Sequence, residues 1–176
     1  MSSYPQMTAP AAPAIRRSRP GTLITAIAFA VVAGVAAIAN GVIILAGGRD
    51  LIVDILINES GLPEGAITVE DLSLLEELSG VSLTDLESTL ATRAYLVLIA
   101  GAALVLFGVL MHRAATWARV LVTITGPLAL IFSGIVILDG SVPIMALCCL
   151  VTIVAVIVVL ILTWLPPNNR YARAMR

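Results

Sequence analysis

Few side chains in this chain are equipped for chemistry, and their spacing limits what they could do. His112, the one histidine, stands beside Arg113. It could serve as a base or a ligand, but a lone histidine next to a basic residue reads more simply as an interfacial side chain. Cys148 and Cys149 are adjacent rather than spaced as Cys-x-x-Cys. Neighbours on a helix point about 100° apart, so the two thiols are expected to pack as small apolar groups. Asn40 is the only strongly polar side chain in the first apolar stretch. It is a candidate intramembrane polar contact, either to a solute or, more simply, to another helix. Asp50, Asp54 and Asn58 recur at i, i+4 and i+8. Two carboxylates one turn apart could meet a cation, although a solvated helix face accounts for the same spacing. Glu70, Asp71, Glu76, Glu77, Asp85 and Glu87 gather in one segment. They are a candidate docking surface for a basic partner or a weak site for divalent cations; more plainly, they keep an outer loop soluble. His-Glu-x-x-His, Gly-x-Ser-x-Gly and Walker patterns do not occur in the sequence. The expectation is therefore no catalytic residue, no cofactor, no structural metal, and no enzymatic activity.

The elements that would position these residues are apolar and long. Gly21 to Ala46 is 26 residues without a charge. As a helix it would extend about 39 Å, more than the roughly 30 Å of a bilayer's hydrocarbon core. A signal peptide would match the preceding Arg16, Arg17 and Arg19 and the Ala37-Ile38-Ala39 triplet. The apolar run continues too far for one, through Val42–Leu45, so it is expected to be retained as a span. Three further stretches follow, 94–111, about 120–138 and about 142–165. With 60% hydrophobic and 12% charged residues, about half the usual charge of a soluble domain, the chain is expected to be an all-α, polytopic membrane four-helix bundle. The expected organisation is a disordered tail at 1–20, the first span at 21–47, an acidic helical cap at 48–93, three further spans at 94–165 and a basic tail at 166–176. Ala26, Ala30 and Gly34 form one row of small residues, and Ala33, Ala37 and Gly41 another. Such rows let membrane helices approach closely, which makes the first span the expected packing centre. Gly126-Pro127 should kink the third span, with Thr123 or Thr125 answering the freed backbone groups.

The cap carries its own helix signals. Ile67-Thr68-Val69-Glu70-Asp71-Leu72 is paralleled fourteen residues on by Val81-Ser82-Leu83-Thr84-Asp85-Leu86. In each, a Thr or Ser can cap a helix, an Asp follows three residues later, and an apolar pair has the spacing of a hydrophobic staple. Leu72, Leu75 and Leu78 are expected to line one helix, ending at Ser79-Gly80. Leu83, Leu86 and Leu90 should line a second that continues unbroken into the next span. Both helices are expected to pack on each other and on the bundle, leaving the six carboxylates largely exposed.

Charge is strongly segregated. Residues 49–93 hold two Arg against ten acids, a net of −8, whereas the rest holds eight Arg and only Asp139, a net of +7. In a four-span arrangement Arg16, Arg17, Arg19, Arg113, Arg119, Arg170, Arg173 and Arg176 share one side, which the positive-inside rule places in the cytoplasm. The expected location is a plasma membrane with both termini cytoplasmic. Anionic inner-leaflet lipids would meet the basic tail, and no nucleic-acid partner is expected. All ten basic residues are Arg, and with abundant Ala, Val and Gly this points to a GC-rich genome.

The segments Arg19-Pro20-Gly21-Thr22 and Trp164-Leu165-Pro166-Pro167-Asn168-Asn169-Arg170 resemble those of small, uncharacterised four-span integral membrane proteins of GC-rich bacteria. That resemblance implies the four-span layout and carries no functional residues. Small four-helix drug exporters have an acid in the first span, which is absent here. Tetraspanins and claudins share the layout but have loop cysteines that this chain lacks. The leading expectation is a non-enzymatic integral membrane interaction protein, an accessory subunit or scaffold, associating through its spans or its acidic outer surface. The alternative is an oligomeric pore or carrier for a neutral or cationic solute, favoured by Asn40, the kinked third span and an acidic mouth that would concentrate cations.

Overall fold

The computed structural model describes residues 20–174 apart from 64, 81, 114 and 115. Arg16, Arg17, Arg19 and Arg176, the proposed tail at 1–19 and the staple residue Val81 lie outside the described residues. The order of elements is α1 (Gly21–Ser60), α2 (Val69–Ser79), α3 (Leu83–Leu110), a 3₁₀ turn (Met111–Arg113), α4 (Thr116–Leu138), α5 (Pro143–Thr163) and α6 (Pro166–Ala174). The described residues contain no strand. Four helices, α1, α3, α4 and α5, are long and apolar enough to cross a membrane.

These four form a ring in which α1 and α4 each pack against both α3 and α5. Chain direction alternates around the ring, so every neighbouring pair is antiparallel. The interior is built from small groups on α1, where Ala26, Ala30, Ala33 and Ala37 are buried, and from larger ones opposite, including Leu104, Val122 and Val156. Side chains facing away from the ring are also apolar, among them Val35, Ile99, Ile124, Leu150 and Ile157. A bundle that is apolar on both faces gains little from hydrophobic sorting in a bilayer and depends on close packing. The α1–α3 seam provides it. A Cβ on Gly34 would fall 2.6 Å from the Gly101 carbonyl oxygen, and one on Gly101 would fall 2.8 Å from the Gly34 carbonyl oxygen. The two backbones touch there because neither residue has a side chain.

At the end of the bundle where α4 passes into α5, α1 breaks at Gly48, whose φ of 51° and ψ of −129° lie outside helical space and are readily taken only by glycine. The helix resumes through residue 60 with Leu51, Ile52 and Val53 buried and Asp50, Asp54 and Asn58 exposed. Thr68 begins α2 with both halves of a capping box, formed with Asp71. Ser82 caps α3 through the Asp85 amide at 3.3 Å, and Glu76 Oε1 accepts from the Leu83 amide at 3.3 Å. The α3 helix runs without interruption into the apolar bundle. Leu72 and Leu83 join Ile52 and Val53 in a small core beneath α2.

The structure differs from expectation in three places. Leu78 is 85% exposed rather than packed beside Leu72. With Pro127 inside α4, Thr123 and Thr125 donate to the carbonyls of Arg119 and Leu121 at 2.8 and 2.9 Å. These are bonds to carbonyls one turn back, not to the Thr123 carbonyl that Pro127 leaves without its amide. Finally, Pro166-Pro167 ends α5 yet opens α6, so the basic tail is helical.

Candidate functional site

The end of the ring where α4 passes into α5 is tied together by polar contacts from α1 and α3. Asn58 Nδ2 donates to the Ser141 carbonyl at 3.1 Å, and Arg93 pairs with Asp139. Gly140 turns the chain between α4 and α5 at a φ of 82°, and a Cβ there would come within 2.8 Å of Glu59 Oε1. Beneath these contacts lies a cavity of about 270 Å³. Its walls are apolar, with Ile44, Ile55 and Leu56 from α1, Leu90 from α3, Val136 from α4 and Met145 from α5; Glu59, Arg93 and Asp139 also line it. It lies near the small end of the range for ligand pockets, so it has room for a short apolar group beside an ion pair.

The six carboxylates of the candidate docking surface divide into two sets. Three are engaged within the chain. Asp71 Oδ2 accepts from the Thr68 hydroxyl and amide at 2.7 and 2.8 Å, Glu76 holds the start of α3, and Glu87 pairs with Arg49 at 2.6 Å. The Thr68 hydroxyl and then its amide hold the Asp71 carboxyl below its ordinary 3.8, because both bonds favour the charged form. The other three, Glu70, Glu77 and Asp85, are exposed. Glu70, Leu74 and Leu78 follow one another at four-residue steps on α2 with Glu77 alongside, and Leu74 is 57% and Leu78 85% exposed. The free surface of α2 is thus a mixed acidic and apolar face, opposite a side anchored by Leu72 and the caps.

Asn40 is 1% exposed at the centre of the ring. Its Nδ2 donates to Cys149 Sγ at 3.2 Å, while its Oδ1 is buried without a hydrogen-bond partner. Thr152, one turn beyond Cys148 on α5, donates to the Cys148 carbonyl at 2.9 Å, and Ser133 on α4 is buried as well. The expected interhelical contact is present, and one thiol is its acceptor. Cys148 is half-buried, and both cysteines are free thiols. His112 is exposed in the 3₁₀ turn.

One residue was not singled out from the sequence. Arg119 was expected as a charge in the inner turn, but it belongs to the first turn of α4 and is 2% exposed. Its Nε and Nη2 are buried without hydrogen-bond partners. A turn charge and a buried helix charge look alike until the helix start is known, and α4 begins at Thr116. Near this end Trp164 Nε1 donates to Thr123 Oγ1 at 3.0 Å, and Thr22 Oγ1 donates to Asn168 Oδ1 at 2.8 Å. No family model, curated protein or solved structure matches this chain.

Proposed function

We propose that this chain is a multi-pass integral membrane interaction protein, an accessory subunit or scaffold, that docks a basic partner through the exposed face of α2. The observation that carries this is the pairing of Leu74 and Leu78 with Glu70 and Glu77 on one side of a capped, anchored helix. Leu74 and Leu78 lie outside the four apolar helices, in the segment with a net charge of −8. Exposed apolar groups rimmed by charge are characteristic of protein contact surfaces. In this reading 48–93 is a folded extracytoplasmic cap. Arg113, Arg119, Arg170 and Arg173 lie at the cytoplasmic end, and α6 rests on anionic inner-leaflet lipids.

The test is co-purification of partners from native membranes in mild detergent, using the wild-type chain and a Leu78→Ser, Glu77→Gln double variant. The variant should lose a partner that the wild type holds at low salt and releases at high salt, because exposed charges are screened beyond about 8–10 Å at physiological ionic strength. Retention of every partner at unchanged salt tolerance would sink the docking reading.

A second reading, an oligomeric pore or carrier, is favoured by the buried Asn40 Oδ1, which has no hydrogen-bond partner among the described residues. It requires solute flux in reconstituted liposomes that Asn40→Leu abolishes.

A further inference from the structure

We propose that Arg119 anchors a phosphate-binding site at the α4 N-terminal end of the bundle, taking either the headgroup phosphate of an anionic lipid or a free phosphate. The site is independent of the α2 face, which lies at the opposite end.

A buried guanidinium is tolerated when its donors are satisfied by an anion or by oxygen acceptors. Arg119 Nε and Nη2 are sealed from solvent and have neither among the described residues. No Asp or Glu side chain lies near it in the sequence, because the eleven acids all fall at 50–87 or at Asp139. Asp139 follows the far end of α4, twenty residues on, or about 30 Å at 1.5 Å per residue. Residues 1–19 contain no Asp or Glu either.

Two carbonyls at the end of α5 are engaged by side-chain amides. Asn168 Nδ2 donates to the Leu162 carbonyl at 2.7 Å and Asn169 Nδ2 to the Trp164 carbonyl at 3.1 Å. The Trp164–Thr123 bond sets the register of α5 against α4. Arg119, one turn before Thr123, is therefore level with the junction of α5 and α6.

Helical side chains lean toward the helix N-terminus, so the guanidinium leans toward the first turn of a 23-residue helix. That terminus carries the positive end of the helix dipole and favours an anion. A planar fork with two free donors matches a phosphate, which can accept both at once. Arg170 and Arg173, exposed on α6, add positive charge to the same end.

The experiment uses the full chain in a phosphate-free non-ionic detergent, with unfolding followed by the fluorescence of Trp117 and Trp164. The probes are inorganic phosphate and short-chain phosphatidylglycerol, each compared with chloride at equal ionic strength. At least one probe should raise the wild-type Tm beyond the chloride control. Its apparent affinity should fall at least tenfold in Arg119→Gln and in Arg119→Met, and by clearly less than in either when Arg170 and Arg173, which supply only general positive charge, are both changed to Gln. A shift with the lipid alone assigns the headgroup, a shift with phosphate alone assigns the free anion, and a shift with both assigns the shared chemistry. In the unmutated chain the Arg119 Nε–H resonance should move downfield as the probe binds, which keeps the test decisive if both variants fail to fold. No shift beyond chloride, unchanged affinity in either Arg119 variant, or an unmoved Nε–H resonance would overturn the site.

Discussion

Gly34 and Gly134 occupy similar apolar helix interiors, and only their surroundings distinguish them. A Cβ on Gly34 would collide with the Val105 side chain and with the Gly101 carbonyl oxygen at 2.6 Å, whereas one on Gly134 meets nothing within 4 Å. The Gly101 oxygen is backbone and cannot swing aside. Gly34→Ala should therefore destabilise the bundle by about 1–3 kcal/mol through overpacking. Gly134→Ala should stabilise it by up to about 1 kcal/mol, because alanine loses less conformational freedom in a helix. Reversible unfolding in mixed micelles measures both, and equal effects would refute the seam. The row of small residues containing Gly34 was legible from spacing alone. That Asn40 bonds Cys149 was not, because the two residues lie 109 positions apart and only the ring order brings α1 beside α5.

At the scale of elements, the cap of α2 was readable to the residue. Thr68 and Asp71 form the reciprocal pair that their three-residue spacing implies. The expectation that failed nearby has a geometric cause. At about 100° per residue, Leu78 lies some 240° around the helix from Leu72, so one side chain cannot follow the other into the core. The α6 helix is not legible from the sequence, because a Pro-Pro pair can end one helix as readily as it opens the first turn of the next. The α2 cap gives a pH prediction. Asp71 is held below its ordinary 3.8 by its bonds to Thr68. Its contribution is therefore fully present above that value and disappears as pH falls through the lowered native value. The amides at 71 and 72 should keep constant protection, corrected for intrinsic exchange, from neutral pH to about 4. They should lose protection at lower pH in the wild type, with a smaller dependence in Asp71→Asn. Thr68→Ala should cost α2 about 1 kcal/mol at neutral pH and less once acid protonates Asp71, because the hydroxyl's bond to the carboxylate is part of that cost. A wild-type acid response identical to that of Asp71→Asn would remove Asp71 from the cap.

For the whole molecule, composition and charge segregation were sufficient to anticipate four apolar helices, because twenty-residue uncharged runs have few other uses. Their ring order was not readable, since every face is apolar and the α1–α3 seam depends on matching Gly34 with Gly101 across two helices. The arrangement separates charge along its length. The described acids lie at the end where α4 passes into α5, and Arg119, Arg170 and Arg173 lie at the end where α4 begins. The positive-inside rule then predicts an orientation, which single cysteines can test. The background is Cys148→Ala with Cys149→Ser, because a hydroxyl at 149 can still accept the bond that Asn40 Nδ2 makes to the thiol at 3.2 Å. Ser73 and Ser88 are exposed on the acidic side, and Arg170 is exposed on α6. Cysteines at 73 and 88 should react with a membrane-impermeant maleimide on intact cells, whereas one at 170 should react only after permeabilisation. The reverse pattern would invert the molecule and put the α2 face in the cytoplasm. Labelling of all three on intact cells would mean that the four helices do not separate the two ends across a bilayer, and the docking proposal would lose the compartment in which it is framed.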